Sequence, residues 1–403
     1  MRRAAVVAAL LACATVWAQP YLVEDFNDPE ACEARRINSW RDAEYAFEDG
    51  AVTFRNPEGK GATVLIPFDD DKLADNQAWD DCNGISFRVR GDGSDNWGRV
   101  AFGNRSYMYE LYFPLANDEW HEVRAHFDEL VGAAPIYDIG GFGMLPPSGI
   151  RNIQLGDRWY LTWNNNPMPE HSFAIDDVTL IADAPEPAPA PSPRPLEEVL
   201  QKLRDREPVS IQCMGDSITA GTGLPDRDTQ RYAVLLGQKL RERLGYDDIE
   251  CYSRAVGGAR ITDARFWAPR DFAGVEPDLV TMAYGYNDKS GAYSVEFFSW
   301  AMNDYIDRIA RLTDGQAAIC PITTLPGGSH RFVMMDDYAQ AIRDLAAERG
   351  DVTAIDLAAK IKPMGRLAWM QYLGDMAHPN VDGHEWLADA LADWIVERVE
   401  AEQ

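Results

Sequence analysis

Residues 209–223 read VSIQCMGDSITAGTG, a strand signal followed at once by the start of a helix. The continuous apolar run from Val209 that ends at Gly215 predicts a buried strand. Apolar residues then recur at helical spacing from Ala233 to Leu244, and Gly245 follows as the kind of residue that ends helices. A buried strand followed by a helix is the repeating unit of a parallel sheet.

The same alternation continues to the end of the chain. Further apolar strand signals occur at IECYS from 249, LVTMAYG from 279, AAICPI from 317 and VTAIDL from 352, with helical patterns between them and a last helix around 386–395. Residues 196–403 are therefore predicted to form an α/β/α domain with a doubly wound, five-stranded parallel sheet of flavodoxin-like type. In such folds the active site lies at the carboxyl ends of the strands.

The first half of the chain has a different pattern. Residues 20–182 contain short alternating segments such as ISFRVRG from 85 and FAIDDVTLI from 173, separated by Gly, Asn and Asp clusters. This pattern predicts an all-β sandwich of jelly-roll type. Residues 183–195 alternate Pro with small residues, which predicts an extended linker, so the chain is expected to be multidomain.

The N-terminus predicts export. Arg2 and Arg3 precede an apolar run, and cleavage after Ala18 is expected, so residues 1–18 are interpreted as a signal peptide of a secreted or periplasmic protein. Lipoprotein processing at Cys13 is a weaker alternative. No later stretch is long and apolar enough for a transmembrane segment. In an oxidising compartment Cys32 and Cys82 are candidates for a disulfide, which the sequence leaves open.

The charge of the chain restricts its partners. The formal net charge is −27. Such a surface repels nucleic acid and anionic membranes, so neither is expected as a partner. Protein partners are not predicted.

Three residues have the chemistry of a serine nucleophile and its base. Ser217 follows the first strand of the α/β domain, and Asp375 and His378 lie three residues apart in a segment before the last helix. A serine hydroxyl needs a base, and the base needs a carboxylate that orients it. We therefore predict Ser217 as nucleophile, His378 as base and Asp375 as its partner. His384 is the weaker candidate because no Asp lies at the corresponding spacing.

Acyl transfer also needs donors for an oxyanion. The backbone N–H of Ser217, a glycine N–H from RAVGGAR at 254–260 and the side-chain amide of Asn287 each follow a different predicted strand. We predict Ser217, Gly258 and Asn287 as the oxyanion hole, and a structural hydrogen bond for Asp216.

These motifs resemble the SGNH, or GDSL, hydrolase superfamily, whose four sequence blocks centre on a Ser, a Gly, an Asn and a His. The resemblance covers about residues 205–400 and implies the roles just given, with no cofactor needed for catalysis. The second block departs from the family pattern, with Ser253 at its start and Ala259-Arg260 after the glycine. Gly257 therefore stays open as the alternative to Gly258.

The first domain resembles the jelly-roll carbohydrate-binding modules of secreted polysaccharide-active enzymes. Together the two resemblances imply a serine esterase that removes O-acetyl groups from a polysaccharide or oligosaccharide. The alternatives are a lipase, lysophospholipase or arylesterase of the same superfamily and, in another class, an inactive glycan-binding protein. Candidate substrate-binding residues are Trp97, Trp163, Tyr286 and Arg260.

Four carboxylates of the first domain form a candidate metal site. Glu24 and Asp25 lie near the first strand and Asp176 and Asp177 in the last, so pairing of the terminal strands would bring them together. Carboxylate oxygens are the ligands that calcium prefers. A structural calcium ion is therefore a candidate, with a solvated acidic edge as the alternative.

Overall fold

The structure is a computed structural model that describes residues 20–73, 76–104, 108–130 and 146–401. The predicted signal peptide and Cys13 lie outside the described residues. The first part of the described chain is almost entirely β, and the second part alternates strands with helices.

The β-sandwich domain (residues 20–182) is built from antiparallel strands. They are β1 Tyr21–Glu24, β2 Asn38–Trp40, β3 Glu44–Glu48, β4 Ala51–Asn56, β5 Thr63–Pro67, β6 Gly84–Arg90, β7 Trp97–Gly103, β8 Met108–Pro114, β9 His121–His126, β10 Asn152–Leu155 and β11 His171–Ile181. Two short helices, α1 Pro29–Glu33 and α2 Asp70–Leu73, accompany them. In the described residues one sheet has the order β3-β4-β11-β6-β9, with β1 also paired to β11, and the other has the order β2-β5-β10-β7-β8.

Aromatic side chains join the two sheets. Phe87 of β6 lies 5.8 Å from Phe102 of β7, and Phe113 of β8 meets Phe173 of β11 edge to face at 5.3 Å between ring centroids. All four rings are buried, as alternating inward positions of a sandwich require. The predicted all-β sandwich is confirmed. Cys32 and Cys82 both lie in its core, and their pairing stays a prediction.

The α/β domain (residues 196–401) has the strands β12 Val209–Gly215, β13 Ile249–Ser253, β14 Leu279–Ala283 and β15 Ala318–Pro321. Its helices are α3 Leu196–Arg204, α4 Ser217–Ala220, α5 Arg227–Gln230, α6 Tyr232–Leu244, α7 Ile261–Phe272, α8 Tyr286–Ser290, α9 Val295–Leu312, α10 Asp336–Arg349, α11 Leu357–Ile361, α12 Arg366–Trp369 and α13 Val381–Glu400. Gly245 ends α6 in a left-handed conformation, with φ of 71°.

The four strands are parallel in the order β13-β12-β14-β15. One sheet face packs against α3, α6 and α13, and the other packs against α7, α9 and α10. The predicted α/β/α architecture is therefore confirmed. The chain leaves β12 in opposite directions toward β13 and β14, so a crevice forms beyond the carboxyl ends of these strands.

The predicted fifth strand is reduced to a single β-bridge between Ile322 and Ile355. The segment still lies along β15, because the N–H of Thr353 donates to Ile319 O (3.4 Å) and the N–H of Ile355 to Pro321 O (2.8 Å). Pro321 has no N–H and cannot donate back to this neighbour. The ladder is interrupted there, and the expectation of a full strand at VTAIDL is corrected for that reason.

Residues 183–195 contain neither helix nor strand. The end of this segment lies against the α/β domain, since the N–H of Arg194 donates to Ala317 O (3.1 Å) and its guanidinium pairs with Asp278 at 2.8 Å. The two domains also touch directly, because β8 of the sandwich packs against α7. None of the helices in the described part of the chain is long and apolar enough to cross a membrane.

Candidate active site

Ser217 is the first residue of α4 and follows β12 by one residue. The turn is fixed by Asp216, whose carboxylate Oδ1 accepts a hydrogen bond from the Ile218 N–H at 2.9 Å. This is an N-cap, the interaction that satisfies a backbone donor at the start of a helix. The side chain of Ser217 therefore stands at the carboxyl edge of the sheet.

Asp375 and His378 lie in the segment 373–380, called here the base loop. The loop is closed by a β-bridge between Leu373 and Pro379 and by a 2.8 Å hydrogen bond from the Gly374 N–H to His378 O. Asp375 Oδ1 accepts from the N–H groups of Ala377 and His378 at 2.6 and 2.7 Å. These bonds hold both side chains on one turn before α13.

The base loop completes a chain of three side chains. His378 Nδ1 lies 2.7 Å from Asp375 Oδ2, and His378 Nε2 lies 2.9 Å from Ser217 Oγ. The structure thus brings together Ser217, Asp375 and His378 as the sequence analysis placed them. In this arrangement the carboxylate holds the proton on Nδ1, which leaves Nε2 to accept the serine proton.

The carboxylate of Asp375 stays ionised. Partial burial raises its pKa, but hydrogen bonds from the backbone and ring of His378 and from Ala377 outweigh that effect, so its pKa is lowered overall. The side chain of Asp375 is 57% exposed and that of His378 is 24% exposed. The Asp–His pair is therefore accessible from solvent, and its attraction is weakened by water.

The glycines after β13 differ in what their N–H groups contact. The Gly257 N–H donates to Asn165 Oδ1 at 2.7 Å, so it is occupied. Among the hydrogen bonds of the described residues, neither the Ser217 N–H nor the Gly258 N–H has an acceptor. This geometry favours Gly258 over Gly257 as an oxyanion donor, and the role itself remains a prediction.

Asn287 lies at the start of α8, next to Asp216. Its Nδ2 donates to Asp216 Oδ2 at 3.1 Å and to the Ala259 carbonyl at 3.0 Å. An amide nitrogen carries two hydrogens, so both are engaged. For Asn287 to act as an oxyanion donor, one of these acceptors must be exchanged for the substrate oxygen.

Two buried carboxylates support this edge of the sheet. Burial raises the pKa of Asp216 to about 6, against the hydrogen bond from Ile218 and the positive charge of His378. Burial, together with the charges of Asp263 and Asp216, raises the pKa of Asp288 to about 7 despite a hydrogen bond from Ile261. Asp288 accepts from the N–H groups of Gly285 (3.1 Å) and Ile261 (2.9 Å), and so ties the segment after β14 to the start of α7.

Tyr286 and Arg260 have clear packing partners. The Tyr286 hydroxyl donates to Met376 O at 3.2 Å and accepts from Arg331 at 2.8 Å, so Tyr286 supports the base loop. The guanidinium of Arg260 lies 5.4 Å from the ring centre of Tyr293. Substrate binding by either residue stays a prediction.

Trp163 contacts the α/β domain, and substrate binding by this residue stays a prediction. Its indole N–H donates to Asp271 at 2.7 Å, and the guanidinium groups of Arg254 and Arg270 lie 4.3 and 5.4 Å from its ring centre. The indole N–H and the ring face of Trp163 therefore both have partners within the protein. Trp97 is half-buried beside Trp163, at a cavity of about 170 Å³ between the domains, and its role stays a prediction.

The sandwich places two residues at the site that the sequence patterns did not predict. Asn165 contacts Gly257, and the ring of Trp159 lies against Gly258, where an added Cβ would be 3.0 Å from it. Both belong to residues 157–166, called here the contact loop. The only local signal was the run Asn164-Asn165-Asn166, because Asn tolerates the left-handed backbone found at Asn164 and Asn165.

Glu24, Asp176 and Asp177 of the candidate calcium site have cationic neighbours. Glu24 pairs with Arg35, and Arg88 lies 3.2 Å from Asp176 and 3.5 Å from Asp177. In the described ranges no group of three or more His, Cys, Asp or Glu side chains is arranged to hold a metal ion. Calcium binding stays a prediction.

A protein-family model matches most of the domain that carries this site. Residues 213–386 match the model of the GDSL-like Lipase/Acylhydrolase family. A search of curated proteins found no significant match.

Similar solved structures include a lipase/acylhydrolase from Enterococcus faecalis, at 20% identity over 47% of this chain and 96% of that one, with a TM-score of 0.41. A family two carbohydrate esterase from Cellvibrio japonicus is 15% identical over 94% of this chain and 97% of its own, with a TM-score of 0.35. A catalytic mutant of an acetylxylan esterase from Geobacillus stearothermophilus is 19% identical over 46% of this chain and 94% of its own, with a TM-score of 0.39. At these levels none of them assigns a substrate to this chain.

Proposed function

We propose that the α/β domain, whose residues 213–386 match the model of the GDSL-like Lipase/Acylhydrolase family, hydrolyses carboxylic esters through an acyl-enzyme on Ser217. The observation that carries the proposal is the 2.9 Å contact between His378 Nε2 and Ser217 Oγ, with Asp375 behind the ring. A nucleophile within hydrogen-bond reach of an oriented base is the arrangement that covalent catalysis needs.

The reaction follows from this geometry. Ser217 Oγ attacks the ester carbonyl while its proton passes to His378 Nε2, and the tetrahedral intermediate then expels the alcohol, which takes that proton. Water, deprotonated by the same Nε2, attacks the acyl-enzyme, and the acid leaves as the proton returns to Ser217. Asp375 keeps its charge throughout and stabilises the imidazolium form of His378.

The intermediate oxyanion requires several hydrogen-bond donors. The N–H groups of Ser217 and Gly258 supply two. Asn287 becomes the third when it exchanges a contact to Asp216 or Ala259 for the oxyanion. Asp216 holds both the start of α4 and the Asn287 amide, so it positions two of the three donors.

For the substrate we propose an O-acetylated polysaccharide or oligosaccharide. The Asp–His pair is open to solvent, and the half-buried ring of Trp159 lies beside Gly258. An open site with polar surroundings and an aromatic face suits a hydrated sugar polymer that carries a small acyl group. Because such polymers occur outside the cell, the predicted signal peptide at residues 1–18 fits this substrate.

The test is acetate release from acetylated xylan, mannan and pectin, measured beside hydrolysis of short- and long-chain aryl esters. The proposal expects one acetylated glycan to give the highest kcat/KM. A preference for long acyl chains would instead identify a lipase-type enzyme. Binding of glycan with no turnover of any ester would identify a binding protein.

A further inference from the structure

The contact loop of the sandwich reaches the catalytic edge of the other domain through one amide. Asn165 Oδ1 accepts from the Gly257 N–H at 2.7 Å, and its Nδ2 donates to Thr222 Oγ1 at 2.7 Å. Thr222 is itself tied to the nucleophile, because its N–H donates to Ser217 O at 2.9 Å. A single side chain of the first domain thus joins the segment after Ser217 to the glycine loop after β13.

This bond acts next to a predicted oxyanion donor. Gly257 and Gly258 are the central residues of a turn that is closed by the Ala259 N–H, which donates to Val256 O at 3.1 Å. Holding the Gly257 N–H therefore fixes one end of the turn that carries the Gly258 N–H. Gly258 has φ of 82°, and the ring of Trp159 lies against it. Each of the two glycines is therefore contacted by a side chain of the sandwich.

The contact loop is shaped in advance for this role. Asn164 and Asn165 have φ of 58° and 61°, a left-handed conformation that Asn adopts more readily than most residues. The backbone N–H of Asn164 donates to Ala255 O at 2.7 Å, and its side chain donates to Ser253 O at 3.0 Å. The Asn164 side chain therefore anchors the loop away from the glycines, whereas Asn165 reaches them.

We propose that Asn165 is a positioning residue of the oxyanion hole, so that the β-sandwich domain is part of the catalytic centre and not only a tethered module. The inference rests on the proposed esterase function. Its physical basis is that an oxyanion donor must point at the reacting oxygen before the reaction begins, and small displacements of such groups reduce the rate strongly.

The experiment compares Asn165→Gly with Asn164→Gly in the full chain. Glycine keeps the left-handed backbone at either position, so each variant removes only side-chain contacts. With 4-nitrophenyl acetate, Asn165→Gly is expected to lower kcat by about 10- to 100-fold, with KM changed by less than about threefold. Asn164→Gly removes a contact of the same interface and is expected to keep kcat within about threefold of the wild type.

Amide hydrogen exchange of residues 255–260 supplies a readout that needs no activity. Asn165→Gly is expected to speed their exchange by at least about tenfold, and Asn164→Gly is not. Equal kcat values for the two variants with an active wild type would overturn the inference while leaving the esterase proposal intact. If the wild type hydrolyses no ester, the esterase proposal is wrong. In that case, unchanged amide exchange of residues 255–260 in Asn165→Gly would show that Asn165 does not position the glycines either.

Discussion

His378 Nδ1 lies 2.7 Å from Asp375 Oδ2, and the two residues are held on one turn by the bridge between Leu373 and Pro379. The same carboxylate accepts two backbone N–H groups through Oδ1, so its orientation is set by the loop. The base is thus positioned before any substrate arrives.

Replacing Asp375 by Asn is expected to lower kcat for 4-nitrophenyl acetate by about 100-fold, less than for a fully buried triad because the carboxylate is solvated. The Asn amide would donate to Nδ1 and leave the imidazole proton on Nε2, which then cannot accept from Ser217. The control is Asp382→Asn, an exposed carboxylate in the first turn of α13, which should keep wild-type kcat. Equal activity of the two variants would contradict the role of Asp375.

Asp216→Asn is expected to lower kcat by about 10- to 100-fold. The carboxylate accepts from Ile218 and from Asn287 with different oxygens, and an Asn side chain has only one oxygen. One of these two hydrogen bonds must be lost, because the NH2 group of the new side chain would face either the Ile218 N–H or the Asn287 amide, and both are donors. The free energy of unfolding should fall by no more than about 1 kcal/mol, because the change also removes a buried charge. Wild-type kcat in this variant would show that Asp216 does not position the site.

His384 should make stability depend on pH. Burial, with a smaller effect of the nearby charge of His378, lowers its pKa from 6.5 to about 4, while its Nδ1 accepts from the Tyr232 N–H at 3.1 Å. Because the unfolded chain binds this proton more readily, the contribution is present above pH 6.5 and is lost as the pH falls toward 4.

The comparison for His384 is with His384→Asn, which keeps an acceptor near the Nδ1 position. Denaturant unfolding from pH 7 to pH 4 should destabilise the wild type by about 3 kcal/mol more than the variant. The buried carboxylates Asp216 and Asp288 titrate in both proteins and cancel in this difference. If the free energy of unfolding changes with pH by the same amount in the wild type and in His384→Asn, His384 does not cause the pH dependence.

Trp163→Phe should weaken the contact between the domains. The change keeps an aromatic ring of smaller size but removes the N–H that donates to Asp271, which is buried. Loss of a hydrogen bond to a buried carboxylate is expected to cost about 1 to 3 kcal/mol. Calorimetry should show one transition for the wild type and a lower Tm for the variant. An unchanged Tm would contradict the contact.

The positions of three site residues were predictable because each lies shortly after the end of a strand. Ser217, Gly258 and Asn287 come after β12, β13 and β14, and the strand order makes those ends meet at one crevice. Asp375 and His378 were recognisable from their close spacing alone. Local patterns were sufficient for these residues, because a parallel sheet brings the carboxyl ends of its strands to one edge.

Other features depend on contacts that local patterns do not contain. Asn165 and Gly257 are 92 residues apart and belong to different domains, so nothing near either residue predicts their bond. The sequence also suggested a substrate role for Trp163, whose Asp271 partner lies 108 residues away. The shortened fifth strand follows from Pro321 on its neighbour, which the apolar pattern of residues 352–357 cannot reveal.

The role of Ser217 is tested by kcat/KM for 4-nitrophenyl acetate with the wild type, Ser217→Ala and the control Ser290→Ala, an exposed serine at the end of α8. If Ser217 is the nucleophile, kcat/KM falls by at least about 1,000-fold in Ser217→Ala and does not fall in Ser290→Ala. Hydrolysis that persists at the wild-type rate in Ser217→Ala would show that this serine is not the nucleophile.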